Sequence, residues 1–379
     1  MRLFQVGHIY PTQRDLLRPH VESVESYEAA MRITLRAIPK SHILKPCLEQ
    51  ESSAFLSLHQ DPTTMGLWAR QNGLKPETSL DDILLAQVED HAPEIFYNIH
   101  STKMSAGLIR RLPGCVKVKI AWLGSPMVSD GYQDFDVVVS NFPSINARHQ
   151  ALGLRTDYFI PSYDPTVETL STPESRDIDL LFVGGYSRHH KNRAQFLNRL
   201  ACELGGFRFA LHLDNSRYTR LAETPLGWFP PLSAVRRPKA VRQLAQPAIF
   251  GPDLFSALLR AKIVVNMAID MAGEDRGNIR CFEALSAGAL LLSDAGVYPE
   301  GFRDGENMVL YRTPDEAIGL IRELLADEKR RESIARAGET MVRSFYSKEK
   351  QWMMFEQLCA RTRTRTTMTR DTRLTVKSN

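Results

Sequence analysis

The chain has 379 residues, 43% hydrophobic and 24% charged, the composition of a globular protein of roughly two domains. Its formal charge of +4 is concentrated at one end: the last twenty residues hold six Lys/Arg and one Asp, and the other 359 sum to −1. A near-neutral body excludes a nucleic-acid groove, and five cysteines without C-x-x-C spacing (47, 115, 202, 281 and 359) exclude a disulfide framework and point to a cytoplasmic protein.

The first element is the strand "MRLFQVGHIY", whose apolar run is too short for a signal peptide. Glu22 to Arg36 has the period of an amphipathic helix, "LDDILLAQVEDH" is a second helix, and "EIFYNIH" a strand. "KVKIAWLG" and "FDVVVSN" are strands followed by turn residues, "INARHQALG" is a short helix closed by glycine, and "TDYFIPSYDP" is a last strand. The polar, unpatterned stretch "TVETLSTPESRD" marks a boundary. Beyond it the alternation restarts with strand "IDLLFVGG", helix "NRAQFLNRLACELGG" and strand "FRFALHL". A proline-rich irregular region, 214–248, interrupts it before helix "PDLFSALLRA", strand "KIVVNMA", the segment "NIRCFEALSAGALLLSD" and strand "NMVLY". Helices "PDEAIGLIRELLAD" and "EKRRESIARAGETMVRSFY" close the series. No apolar run reaches the ~18 residues of a membrane span; the best, "ALLRAKIVVNMAI", is broken by Arg260 and Lys262.

This pattern predicts an α/β protein of two doubly wound, Rossmann-like domains, residues 1–165 and 177–346, facing across a cleft. A crossover helix over 347–359 and a basic disordered tail over 360–379 follow. Ligands gather at the carboxyl ends of the strands in such sheets. At one such end, Gly184 and Gly185 precede Arg188, His189, His190, Lys191 and Arg193 at a helix start, a pattern that suits phosphate. An exposed basic turn is the alternative reading, and the two histidines lack a third metal ligand.

The segment from Asn278 to Asp294 poses a sharper question. Asn278 is placed to cap a helix, Gly288 to end it, and Ala289 to Ser293 to form a strand, none of which needs a charge. Yet Arg280 and Glu283 are there, with Asp275 eight residues before Glu283 across a Gly277–Asn278 turn. Glu283 near a helix start suits a vicinal diol and Arg280 an anion. The rival reading is an i, i+3 pair on a helix surface, worth a few tenths of a kcal/mol.

The run "NIRCFEALSAGALLLSDAGVYPEGFRDGENMVLY", with its R-x-F-E-A-L-x-x-G core, G-E-N turn and following A-x-x-G helix, resembles the GT-B glycosyltransferases of the CgeB-like, group 1 type. The specific resemblance covers residues 177–347 and includes "LLFVGG…NRAQFL" and "DLFSALLRAKIVVNMA". It implies transfer of a sugar from a nucleoside-diphosphate donor to a glycan, lipid-linked or protein acceptor, with retained anomeric configuration and no cofactor beyond the nucleotide-sugar. It implies that Glu283 binds ribose hydroxyls, that Arg193, Arg280, Arg188 or Lys191 neutralises the diphosphate, and that backbone near Ile249–Gly251 meets the base. Asp275 stands where relatives carry a sugar-contacting glutamate. The resemblance further implies that the last helix, "KEKQWMMFEQLCA", crosses back onto the first domain; its Trp352, Met353, Phe355, Leu358 and Cys359 supply the apolar surface for that.

Two D-x-D triplets, "DFD" at 134–136 and "DID" at 177–179, stand at strand starts, the wrong end for a metal-diphosphate site, so no metal is expected. On the acceptor side His8, His100 and Trp122 follow strands. Each histidine is a candidate general base or sugar contact, and equally an ordinary loop histidine; Trp122 suits ring stacking or packing. The basic tail is either a solvated end or a weak attachment to anionic lipid at the inner membrane face. A nucleotide-sugar epimerase and a non-catalytic glycan-associated protein of the same fold remain the rival functions.

Overall fold

The computed structural model describes residues 1–99, 106–126, 130–186, 191–214, 217–268 and 270–377. The chain divides into two compact units, one of residues 1–162 with 347–379 and one of residues 163–346.

In the first unit six strands form a wholly parallel sheet: β1 (Leu3–Val6), β2 (Ala54–Ser57), β3 (Ile95–Asn98), β4 (Val118–Trp122), β5 (Val137–Ser140) and β6 (Thr156–Tyr158). Their spatial order is β2-β1-β3-β4-β5-β6. β1, β3 and β5 are buried at every position, as a sheet covered on both faces requires. Across them Phe4 stacks between Phe55 and Phe96 at 5.2 and 5.8 Å. The helix expected over Glu22–Arg36 runs from Tyr27 to Ala37, and a separate helix, Pro11–Glu22, precedes it. Ser26 restarts the chain by accepting from the Ala29 amide. Helix Pro11–Glu22 buries only Gln13 and Val21, so it left no apolar period to read.

The C-terminal helix, Lys348–Lys377, belongs to this first unit. Phe355 is fully buried, its ring 4.9 Å from Tyr97 and 5.6 Å from Phe159, and Trp352 stacks on it at 5.8 Å. Leu358 and Cys359 join the same core, while Met353 faces solvent. At the helix start the Lys348 ammonium donates to the carbonyls of Lys40 (2.5 Å) and Ile43 (2.8 Å) and to Gln351 Oε1 (3.1 Å). The expected crossover is therefore present, fixed by an apolar stripe and a buried cation. The disordered tail expected from residue 360 is instead a continuation of this helix to Lys377. No glycine or proline interrupts 348–377, Thr362 and Thr364 donate back to Leu358 and Ala360, and Arg361 and Arg363 pair with Asp157 and Glu94 at 3.2 Å each.

The second unit has its own parallel sheet: β7 (Ile178–Gly185), β8 (Phe209–Asp214), β9 (Ala245–Gln246), β10 (Ala261–Val265), β11 (Leu290–Asp294) and β12 (Val309–Tyr311). The order is β12-β11-β10-β7-β8-β9, so chain direction across the sheet reverses between β10 and β7. The proline-rich region holds helices Arg217–Ala222 and Lys239–Leu244 and the two-residue β9, all too short to leave a period. Arg176 binds this unit together by donating to the carbonyls of Leu258, Leu259, Ala261, Ala287 and Gly288, the otherwise orphaned ends of two helices. The glycine of the A-x-x-G motif, Gly338, lets helix Glu328–Phe345 close on the sheet: a Cβ there would lie 2.5 Å from the Asn307 carbonyl. The chain enters this unit at Tyr163 and leaves at Tyr346, and the Tyr163 amide donates to the Tyr346 carbonyl at 2.7 Å. Among the described residues no helix is long and apolar enough to cross a membrane.

Candidate functional site

The reversal between β7 and β10 leaves a crevice at their carboxyl ends. Gly184 and Gly185 end β7, and Asn266 and Met267 follow β10. Arg193, in the first turn of helix Lys191–Leu204, lies across this gap: it is buried, and its Nη2 donates to the Met267 carbonyl at 2.5 Å. Its Nη1 lies 3.8 Å from where a Gly184 Cβ would be. A guanidinium, two glycines and a helix start thus meet at one point. Lys191 begins that helix, whereas Arg188 lies outside the described residues.

A second set of groups hangs from β10 and β11. Asn266 Nδ2 donates to Ser293 Oγ (2.9 Å) and to Asn278 Oδ1 (3.0 Å), and its carbonyl accepts from Tyr311 (2.8 Å). Asp294 accepts from the Ala268 amide at 2.9 Å and pairs with Arg276 at 2.6 Å. Arg276 also donates to the carbonyls of Gly273 and Asp275 at 2.7 and 3.0 Å. The loop bearing the buried Asp275 is therefore tied at both ends, and Gly277 turns it into the next helix at φ +97, where a Cβ would meet Pro299 at 2.7 Å. Asn278 occupies the cap position of that helix, Ile279–Ser286, but spends its side chain on Asn266 rather than on the helix amides.

Arg280, Glu283 and Ser286 lie on one face of this helix. Glu283, expected near the helix start, is on the second turn and only 1% exposed. Its carboxylate lies 2.7 Å from the Arg280 guanidinium, whose side chain is 14% exposed, as an ion pair outside hydrogen-bond geometry. The i, i+3 pairing thus exists, but it is not a surface pair. Burial raises the Glu283 carboxyl to about 7, with Arg280 lowering it and Asp164 raising it further. Asp164 comes from the entry segment of the same unit: fully buried, it caps the Thr166 amide at 3.0 Å, and its own amide donates to Ser286 Oγ at 3.3 Å. Removing such charges from water costs several kcal/mol per ion, so packing alone gives no reason for them.

The D-x-D aspartates sit at the amino ends of strands. Asp134 pairs with Arg110 at 3.1 Å and Asp136 accepts from the Lys119 amide. Asp177 pairs with Arg260, and Asp179 with Arg208 and Lys262, which holds its carboxyl down at about 2 despite partial burial. Among the described residues no group of three or more His, Cys, Asp or Glu is arranged to hold a metal. A groove of about 530 Å³ runs from Asp177 and Arg208 along helix Gly251–Arg260 to Ile249; Glu283 does not line it.

In the first unit the corresponding reversal lies between β1 and β3. His8 follows β1 and is held neutral by burial, which lowers its pKa; His100, after β3, lies outside the described residues. His42, unremarked in the sequence, packs its ring 4.5 Å from Trp122 and is pushed down to about 3 by burial, by Lys348 and by His8. The other residues that sequence reasoning missed are Asp164, Arg276 and Asp294. Asp294 closes "LLLSD" at a strand's carboxyl end and was visible in principle; Asp164 reaches Glu283 from 119 positions away and carried no local signal.

Comparison with known proteins identifies the fold. Residues 188–357 match the model of the glycosyl transferase-like family. HepE from Anabaena, solved with UDP and glucose, is 14% identical with a TM-score of 0.54 over 95% of this chain and 99% of that one. Sucrose-phosphate synthase from Thermosynechococcus elongatus is 12% identical with a TM-score of 0.51, covering 95% and 99%. TarM from S. aureus, solved with fondaparinux, alpha-GlcNAc-glycerol and UDP, is 9% identical with a TM-score of 0.51 over 74% of this chain and 59% of that one. A search of the curated proteins gives no match. The fold is GT-B, and residues 188–357 carry a glycosyl transferase-like domain.

Proposed function

We propose that this chain is a glycosyltransferase that uses a nucleoside-diphosphate-sugar donor, held by the second unit at the carboxyl ends of β7, β10 and β11. The observation that carries the reading is the buried Arg280–Glu283 pair, a costly arrangement with no packing role, inside a glycosyl transferase-like domain. Glu283 accepts from the ribose hydroxyls, as the acidic residue of dinucleotide folds does. Arg193, with Gly184 and Gly185 and the helix start at Lys191, receives the diphosphate, and Arg188 is assigned to the same anion. Arg280 shifts from Glu283 toward the anion when donor binds, and backbone at Ile249–Gly251 meets the base. These cations and the helix dipole stabilise the leaving diphosphate without a metal.

Asp275 is assigned to the sugar, in the role a longer glutamate has in the resembled enzymes, and the anomeric outcome is retention. On the first unit His8 and His100 are assigned to the acceptor: a neutral His8 is able to accept a proton or a hydrogen bond from a sugar hydroxyl. The acceptor is a glycan, lipid-linked or protein group. The shorter Asp275 also favours a second reading, a non-catalytic protein that binds nucleotide-sugar. Release of free sugar or transfer from a panel of nucleotide-sugars tests the two: turnover supports the enzyme, and donor binding with no turnover in any acceptor mixture supports the alternative. Two relatives of like fold, HepE and TarM, were solved with UDP, which makes uridine donors the first to screen.

A further inference from the structure

Five large apolar side chains stand exposed within twelve consecutive residues of the second unit: Tyr218, Leu221, Leu226, Trp228 and Phe229, at 73%, 43%, 57%, 71% and 68%. No other stretch of the described residues gathers so many. They crown the helix Arg217–Ala222 and the turn Pro225–Trp228, and the platform beneath is built rather than loose. Arg236 donates to the carbonyls of Ala222 and Thr224 at 2.7 and 2.6 Å and stacks under the Trp228 ring at 4.6 Å. Gly227 packs so closely on Ala222 that a Cβ would lie 1.6 Å from its carbonyl oxygen. The aromatic pair is thus held outward by a fixed turn.

The surroundings are basic. Residues 217–242 contain six Lys/Arg and one acidic residue, Glu223, which is paired with the buried Arg237. Arg220 and Lys239 are exposed. Aromatic and leucine tips with a cationic rim are the composition of a surface that enters the headgroup region of an anionic bilayer. The exposed cations, Arg220 and Lys239, gain further from the negative surface potential. We propose that the face formed by Tyr218, Leu221, Leu226, Trp228 and Phe229 docks onto an anionic lipid surface. This is a different membrane contact from the basic C-terminal tail.

The segment also leaves the sheet at a telling place. Asp214, the last residue of β8, is in register with Gly185 of β7. Docking through this face brings the carboxyl edge of the second sheet to the bilayer, where a lipid-carried acceptor is presented. That consequence rests on the donor-site reading; the docking itself does not.

The test uses the full chain with vesicles of phosphatidylcholine alone or with about a third phosphatidylglycerol. The expected result is sedimentation with the anionic vesicles, a blue shift of tryptophan emission, and little binding to neutral ones. The L226S/F229S variant, which keeps the Trp228–Arg236 stack, and the R220E/K239E variant should each weaken partition about tenfold or more, with unchanged far-UV circular dichroism and UDP-induced thermal shift. Equal sedimentation of the variants and the parent overturns the proposal, as does no binding to anionic vesicles. A concentration-dependent dimer abolished by L226S/F229S, without vesicle binding, overturns it in favour of self-association. Loss of the UDP shift in the parent, with vesicle binding intact, sinks the donor reading and leaves the docking face standing.

Discussion

Glu283 and Arg280 form an ion pair of 2.7 Å on one helix face, with Asp164 as a second buried carboxylate beside them. Breaking such a pair by removing one partner leaves an uncompensated charge, which costs about 3–5 kcal/mol. Arg280→Ala should therefore destabilise the second unit by about that much at pH 8 and much less at pH 5, where Glu283 is protonated. Urea unfolding at the two pH values measures it. Equal losses at both would mean that Arg280 contributes through packing alone.

The two units should respond to acid in opposite senses. Glu283 has a folded value of about 7 against 4.5 for the free group, so its contribution is complete below about 4.5 and is lost as pH rises through 7. His42 has a folded value of about 3 against 6.5, so its contribution is present above 6.5 and is lost as pH falls toward 3. From pH 7 to pH 5 the second unit should gain, and the first lose, about 2 kcal/mol each. Trp68, Trp122 and Trp352 lie in the first unit and Trp228 in the second, so urea unfolding followed by tryptophan emission and by far-UV circular dichroism separates them. Glu283→Gln should flatten the second unit's pH dependence, and His42→Phe should reduce the first unit's without abolishing it, because burial also lowers His8, His59, His91 and His149; neither variant should change the other unit's profile. Parallel pH profiles in the parent would count against both assignments.

The crossover helix gives a third test. Phe355→Ala opens the core around Tyr97 and Phe159 and should cost the first unit about 3–5 kcal/mol. Lys348→Met strips the Lys40 and Ile43 carbonyls of a charged donor and should cost about 2–3 kcal/mol. In both variants the second unit's unfolding midpoint and the UDP-induced thermal shift should stay where they are. A loss shared equally by the two units would contradict the placement of this helix.

What the sequence revealed follows from how each element is stabilised. β1, β3, β5 and β11 are buried throughout and appear as apolar runs; the crossover was legible through the family resemblance, with Phe355 and Leu358 supplying the apolar surface it needs. Helix Pro11–Glu22, β2 and β9 were not, because each is polar or only a few residues long and is fixed by tertiary pairing. Within the candidate site Glu283 and Arg280 stood out because charges interrupt an apolar pattern, Arg193 because it lies in a basic turn after a strand, and Asp275 through its spacing and the resemblance. Asp164, His42 and the Asn266–Asn278 pair act over distance in sequence, where pattern carries no information.

Because the phosphate charge is assigned to Arg193, Arg280 and a helix start, donor hydrolysis should continue in excess EDTA. Its loss, with recovery on adding manganese or magnesium, would return a cation to the diphosphate and call for ligands not assigned above.

The most direct measurement is calorimetric titration of the full chain and of its Glu283→Gln variant with the nucleoside diphosphate that gives the largest thermal shift in a panel of UDP, GDP and ADP. The parent should bind, and the variant, folded as judged by circular dichroism, should bind more weakly by about 1.5–3 kcal/mol, the worth of a hydrogen bond to a charged group. Equal affinity for both proteins would contradict the assignment of Glu283 to the donor.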